Sequence, residues 1–171
     1  RPMIFVTVGT ELSFNRMVQV VDEWAGETGR TDIFAQIGET DWRPRHIPAS
    51  KFLDPAEFTR KFQAASVIIS HAGMGTILSA LKAGKPILVM PRLASLGEQR
   101  NEHQLATAEQ LVKMGYIDAA FEEKAFRERL DAIDTLQCRK TIGAFAGPEL
   151  TGAFHQFIHE PGGTGHRAVR S

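Results

Sequence analysis

Several short runs in this chain are apolar almost from end to end: Met3-Ile4-Phe5-Val6-Thr7-Val8, Ile33-Phe34-Ala35-Gln36-Ile37, Val67-Ile68-Ile69 and Ile87-Leu88-Val89-Met90. A strand with one wet face alternates apolar and polar residues, whereas one that is apolar on both sides must be covered on both. Between these runs apolar residues recur at helical spacing, as in Met17, Val20, Val21 and Trp24, in Phe58, Phe62 and Ala65, and in Ile77, Leu78 and Leu81. Such strands alternating with helices predict an α/β fold, a single Rossmann-like domain whose parallel sheet carries helices on both faces. Ligands of these sheets bind beyond the carboxyl ends of the strands. The turns after each strand are therefore where chemistry is expected.

Punctuation along the chain supports that order. Asp54-Pro55, with Glu57 three residues after the aspartate, reads as a helix start, and Gly84 followed by Lys85-Pro86 as a helix end leading into a strand. Phe52-Leu53 reads as a short extended piece. A polar loop from Arg92 to Asn101 precedes a helix through Leu105, Ala108, Leu111 and Val112. A strand at Tyr116-Ile117 and a helix around Phe126, Leu130 and Ile133 follow. Leu150, Phe154, Phe157 and Ile158 give the segment 148–160 one apolar face. Residues 1–160 are thus expected to form the domain, with 148–160 as its amphipathic C-terminal helix and 161–171 as a disordered tail.

Composition excludes several classes. Lys+Arg and Asp+Glu are 20 each, so no basic excess points to nucleic acid or to an anionic membrane surface. Cys138 is the single cysteine, which leaves no internal disulfide and no cysteine-based zinc cluster. With no signal-peptide pattern and no apolar stretch near the ~20 residues that span a bilayer, a cytoplasmic location is expected. Any membrane attachment would come through a partner. His155 and His159 have the i, i+4 spacing of zinc ligands, but Gln156 stands where H-E-x-x-H needs glutamate. A polar helix face is the simpler reading, and Cys138 is read as inert.

The most suggestive turn is Ser70-His71-Ala72-Gly73-Met74-Gly75-Thr76, which follows Val67-Ile68-Ile69 directly. A strand that turns through glycines into a helix presents backbone N–H groups and the positive end of the helix dipole to an anion such as a diphosphate. Gly73 and Gly75 are expected to let the backbone approach that ligand closely. The alternative is an ordinary glycine-softened turn, because G-x-G without context is weak.

Its context resembles the C-terminal, donor-binding half of GT-B glycosyltransferases of family 28. The residues that carry the resemblance are Val6-Thr7-Val8-Gly9-Thr10, Phe52-Leu53, Ser70 to Thr76, Gly84-Lys85-Pro86, Met90-Pro91-Arg92 and His103-Gln104, in family order from Met3 to about Gly115. By length the chain is similar to stand-alone donor subunits, such as those of dolichol-diphosphate N-acetylglucosaminyl transfer and of bacterial exopolysaccharide assembly. In those systems a membrane-anchored protein supplies the acceptor half.

The resemblance implies roles for individual residues. Leu53, beside Phe52, would read the uracil edge of a UDP-sugar. His71 and the N–H groups from Gly73 through Met74 and Gly75 to Thr76 would cradle the diphosphate, approached by Gly9-Thr10 from the first strand. His103-Gln104 would bind the donor sugar, with Asn101 in the loop before them. Family members place a glutamate on the phosphate helix to hold the ribose, and the matching residue here is Ser79, which cannot make a charge-assisted bidentate pair. Ribose recognition is then weaker, or shifted to Glu98.

The implied activity is inverting transfer of a sugar from a UDP-sugar to a polyprenyl-diphosphate-linked glycan, at the inner face of the membrane, together with the acceptor subunit. No cofactor or metal is expected: the helix N-terminus and His71 would stabilise departing UDP, and neither Asp41 nor Asp54 has a second aspartate at the spacing of an Asp-x-Asp metal site. Glu11 is the best general-base candidate in this chain, but the family usually draws that base from the acceptor half. Arg92 and Arg100 would contact phosphate or a carboxylated sugar such as glucuronate, with glucose, galactose and N-acetylglucosamine open. Two other readings stand beside this one: a non-catalytic nucleotide-sugar-binding regulatory subunit, and a UDP-sugar epimerase or hydrolase.

Overall fold

The computed structural model describes residues 3–10, 12–99 and 103–138. Glu11, Arg100, Asn101, His155, His159, the amphipathic segment 148–160 and the tail 161–171 lie outside the described residues.

The order of elements is β1 (Met3–Thr7), α1 (Asn15–Thr28), β2 (Ile33–Gln36), β3 (Ala49–Ser50), α2 (Pro55–Ala64), β4 (Ala65–His71), α3 (Met74–Lys82), β5 (Ile87–Met90), α4 (His103–Lys113), β6 (Asp118–Ala119) and α5 (Glu123–Asp131). Short 3₁₀ turns occupy Ala94–Leu96 and Ile133–Thr135. The strands form one sheet in the order β3-β2-β1-β4-β5-β6, and every pairing is parallel. Chain direction across the sheet reverses at β1 and β4, where Val6 faces Ala35 on one side and Ile69 on the other.

The apolar strands divide their side chains between two cores, as their sequence demands. Ile4, Val6, Ile69, Leu88 and Met90 meet Met17, Val21 and Trp24 of α1 and Phe126 and Leu130 of α5. Phe5, Ile68, Ile87 and Val89 point the other way, onto Phe62 of α2, Ile77 and Leu81 of α3 and Leu111 of α4. The strand period of two and the two helical layers thus explain each other.

Local chemistry sets the ends. Asp54 caps α2 by accepting from the Glu57 amide at 2.8 Å, with Pro55 in the first turn. Gly29 closes α1 at φ +70°, a backbone angle that costs glycine nothing. No helix among the described residues is long and apolar enough to cross a membrane.

Some boundaries differ from the sequence reading. The last strand is Asp118–Ala119, not Tyr116-Ile117, because the Gly115 and Tyr116 amides still bond to Val112 and Leu111 at the end of α4. The third strand pairs at Ala49–Ser50, so Phe52-Leu53 lie just beyond it. Val112 is exposed, since α4 buries Gln104, Thr107, Ala108 and Leu111 instead. Ile133 packs in the core from the 3₁₀ turn, after α5 has ended.

Candidate functional site

A cleft of about 500 Å³ opens at the carboxyl ends of β1 and β4, where the direction of the sheet reverses. This is the crevice where parallel α/β sheets hold ligands. The segment after β1 contributes Val8, Gly9, Thr10 and Leu12; His71 comes from the end of β4, Gly73 from the turn, and Gly75, Thr76 and Ser79 from α3. Phe58 of α2, Arg92 and Gln99 after β5, and Gln104 of α4 complete its walls.

The junction from His71 to Thr76 has the predicted form. β4 ends at His71, Gly73 is the residue before α3, and no side chain caps the first turn of that helix. Its leading N–H groups are therefore available to an anion.

The glycines divide the work differently from expectation. A Cβ on Gly9 would lie 2.6 Å from Nε2 of His71, and one on Gly73 would lie 2.4 Å from Cε1 and 2.5 Å from Nε2 of the same ring. Gly9 also holds φ +83°. The His71 imidazole is thus seated between two glycines, which are bare because the ring needs the room. Gly73 makes space for a side chain of the protein itself. Gly75 is the open one: a Cβ there would meet nothing within 4 Å.

Behind His71 lies a short polar chain. The backbone N–H of Arg92 donates to Oε1 of Gln104 at 3.1 Å, and the side-chain amide nitrogen of Gln104 lies 3.2 Å from Nδ1 of His71. Burial, and then the positive charge of Arg92, push the His71 pKa down to about 3. The ring is neutral near pH 7.

Arg92 departs from the sequence reading. It is 2% exposed, and its guanidinium donates to the carbonyls of Val8 and Leu12 at 2.6 Å each and of Ser13 at 2.7 Å. It also stacks over Phe14 at 5.0 Å. The fork is committed to the backbone of Val8, Leu12 and Ser13, so Arg92 supplies a fixed positive field to the cleft instead of a mobile hand for phosphate. Glu98 is a second correction. Arg16 holds its carboxylate in a bidentate pair at 2.8 and 3.0 Å, and the Leu93 amide donates to it at 3.0 Å. Both of its oxygens are engaged by Arg16 and Leu93, and it does not line the cleft.

The other candidates separate by position. Thr10, Thr76 and Ser79 border the cleft. Gln104 borders it too, yet it is buried with both ends of its amide engaged. Phe52 is exposed on the same rim, Leu53 and Met74 pack against the second core, and His103 opens α4. None of these last residues lines the cleft.

Sequence reasoning missed Phe58, whose ring meets Phe5 edge-on at 5.3 Å while bordering the cleft. A signal existed. Helices run antiparallel to the strands in such folds, so Phe58, one turn before Phe62, falls nearer the carboxyl rim. Also missed was a buried chain below the cleft floor: the Gly9 amide donates to Thr7, the Thr7 hydroxyl to Gln36 at 2.6 Å, and the Gln36 amide to the Lys51 carbonyl at 2.9 Å. It ties the loop after β1 to the segment leading to Leu53.

The model of the glycosyltransferase family 28 C-terminal domain matches residues 3–141. The UDP-N-acetylglucosamine transferase subunit ALG13 of Homo sapiens is 33% identical over 125 residues, covering 67% of this chain and 10% of that protein. A UDP-N-acetylglucosamine--N-acetylmuramyl-(pentapeptide) pyrophosphoryl-undecaprenol N-acetylglucosamine transferase of Prochlorococcus marinus is 27% identical over 108 residues, covering 61% of this chain and 30% of the enzyme. The chain thus spans only a minor part of the length of these relatives. In fold it is similar to the solution structure of ALG13, with a TM-score of 0.60 at 17% identity over 94% of this chain and 96% of that one.

Proposed function

We propose, from the premise that this chain belongs to the glycosyltransferase family 28 C-terminal domain family, that it is the donor-binding, catalytic subunit of an inverting transferase. It moves a sugar from a UDP-sugar to a polyprenyl-diphosphate-linked glycan. A separate membrane-anchored subunit holds the acceptor and keeps this chain at the inner face of the membrane.

The observation that carries the reading is the cleft at the β1–β4 reversal, where the uncapped start of α3, a neutral His71 and the field of Arg92 converge on one space of about 500 Å³. The diphosphate sits on the N–H groups of Gly73 to Thr76, Thr10 approaches it from β1, and Ser79 meets the ribose. Leu53, reached through the Thr7–Gln36–Lys51 chain, lies on the uracil side. As the acceptor hydroxyl attacks the anomeric carbon from the opposite face, the bond to UDP breaks and charge grows on the departing diphosphate. Fixed donors stabilise that charge without reorganising. The acceptor proton goes to a base on the partner, Glu11 being the alternative within this chain.

N-acetylglucosamine is the first sugar to test, because the two relatives described above are named for its transfer. Glucuronate loses the support of Arg92, whose guanidinium is held by backbone carbonyls, and would rest on Arg100 alone. The polyprenyl diphosphate acceptor follows the pyrophosphoryl-undecaprenol in the name of the bacterial relative.

The test mixes the purified chain with its acceptor subunit and a panel of UDP-sugars, and measures UDP release. Release that requires both proteins is expected. Folded subunits that release no UDP from any donor would end the enzymatic reading. If the same chain is still stabilised by a UDP-sugar, by ~2.7 kcal/mol at one hundred times Kd, the regulatory reading takes its place.

A further inference from the structure

We infer that Gln104 is a positioning residue that locks His71 as the neutral tautomer protonated on Nε2, making the imidazole a hydrogen-bond donor to the cleft. The diphosphate part of this inference rests on the function proposed above; the tautomer itself does not.

One atom beside Gln104 has a role beyond choice. The backbone N–H of Arg92 can only donate, so the Gln104 atom that meets it at 3.1 Å must be the carbonyl oxygen. The orientation of the Gln104 amide is thereby set, and its NH₂ group is the end that faces His71. An amide NH₂ can only donate, so Nδ1 of His71, 3.2 Å away, must accept. A neutral imidazole that accepts at Nδ1 carries its proton on Nε2.

The geometry then aims that proton. Nε2 and Cε1 form the edge of the ring that lies between Gly9 and Gly73, both of which line the cleft. Among the described residues the contact with Gln104 is the only hydrogen bond of the ring, which leaves Nε2–H for a ligand. A phosphate oxygen there would receive a donor fixed in direction before it arrives. Gln104 is largely buried, with both ends of its amide used within the protein, so it acts through His71.

The test is imidazole ¹⁵N NMR on the full chain without ligand, followed by UDP titration of the wild type and of Gln104→Glu. That substitution keeps the oxygen that receives the Arg92 amide and replaces only the donor half of the side chain. In the wild type, His71 should show a bare Nδ1 and a protonated Nε2 near neutral pH. In Q104E the proton should move to Nδ1, or the ring should become doubly protonated, and UDP should bind about tenfold more weakly or worse. A wild-type ring protonated on Nδ1, or a Q104E ring still singly protonated on Nε2, overturns the inference. The wild-type spectrum decides the tautomer even if Q104E does not fold. If the wild type shows the expected tautomer but binds no UDP, the proposed function fails and the assignment of Gln104 stands.

Discussion

The imidazole of His71 is held 3.2 Å from the side-chain amide of Gln104, a residue thirty-three positions further along the chain. Two glycines flank the opposite edge of the same ring. The histidine of a family motif is thus built into the wall of the cleft, and much of the surrounding sequence exists to seat it.

Gly73, just before α3, and Gly75, inside its first turn, should respond in opposite ways to alanine. Gly73→Ala drives a Cβ to 2.4 Å from the His71 ring and should both destabilise the fold and abolish UDP binding. Gly75→Ala meets no atom and lies inside α3, so it should stabilise the apo protein by up to ~1 kcal/mol. If the diphosphate approaches the backbone there, UDP affinity should nevertheless fall. Thermal melts with and without UDP separate the two effects.

His71 should make the protein sensitive to acid. Its pKa is lowered from 6.5 to about 3 on folding, by burial and by Arg92. The unfolded chain therefore binds the extra proton first, and the stability from the neutral ring is complete above pH 6.5. It is lost progressively as pH falls from there toward 3. The difference between wild-type and His71→Gln unfolding free energies, measured from pH 4 to 8, should shrink as pH falls. A difference independent of pH would show that the ring is not held neutral by the fold.

Removing Arg92 should cost stability before it costs binding. Arg92→Met leaves the buried carbonyl of Val8 and the partly buried carbonyls of Leu12 and Ser13 without their donor, and a buried unsatisfied group costs about 1–3 kcal/mol. Urea unfolding of the ligand-free variant should show a loss of about 3 kcal/mol or more. Unchanged stability with UDP binding alone impaired would make Arg92 a direct ligand after all.

The Arg16–Glu98 pair should anchor the loop after β5. Both side chains are partly buried, at 12% and 15% exposure, and the contact is bidentate. Glu98→Gln should cost about 1 kcal/mol and speed amide exchange around Leu93 to Glu98, leaving UDP affinity nearly unchanged. A large loss of UDP affinity would restore Glu98 as a ribose ligand.

Transfer should proceed in EDTA. The proposed stabilisation of UDP comes from the start of α3 and from His71, so chelation should leave the rate of UDP release within about twofold. A rate that collapses and returns with Mg²⁺ or Mn²⁺ would assign the leaving group to a metal.

Much of this architecture is legible in the sequence because its causes are local. Strands such as Ile87-Leu88-Val89-Met90 are apolar at every position, which only a sheet covered on both faces accommodates. Asp54-Pro55 with Glu57 declares a helix start through a bond between residues three apart. The turn at His71 to Thr76 likewise announces itself by strand, glycine and helix in succession. What the turn glycines are for was not legible, since Gly9 and Gly73 serve a ring that reaches them only after β1 and β4 pair.

The sequence by itself therefore determined a doubly covered parallel sheet with an anion-ready turn at one strand end, because hydrophobic period and helix capping act within a few residues. The tertiary structure alone decided that Arg92 braces the loop after β1, that Glu98 answers Arg16, and that Gln104 faces His71. Each of those contacts joins segments brought together by the strand order β3-β2-β1-β4-β5-β6. Strand order is set by how whole helical layers pack over the sheet, and no local pattern of residues records it.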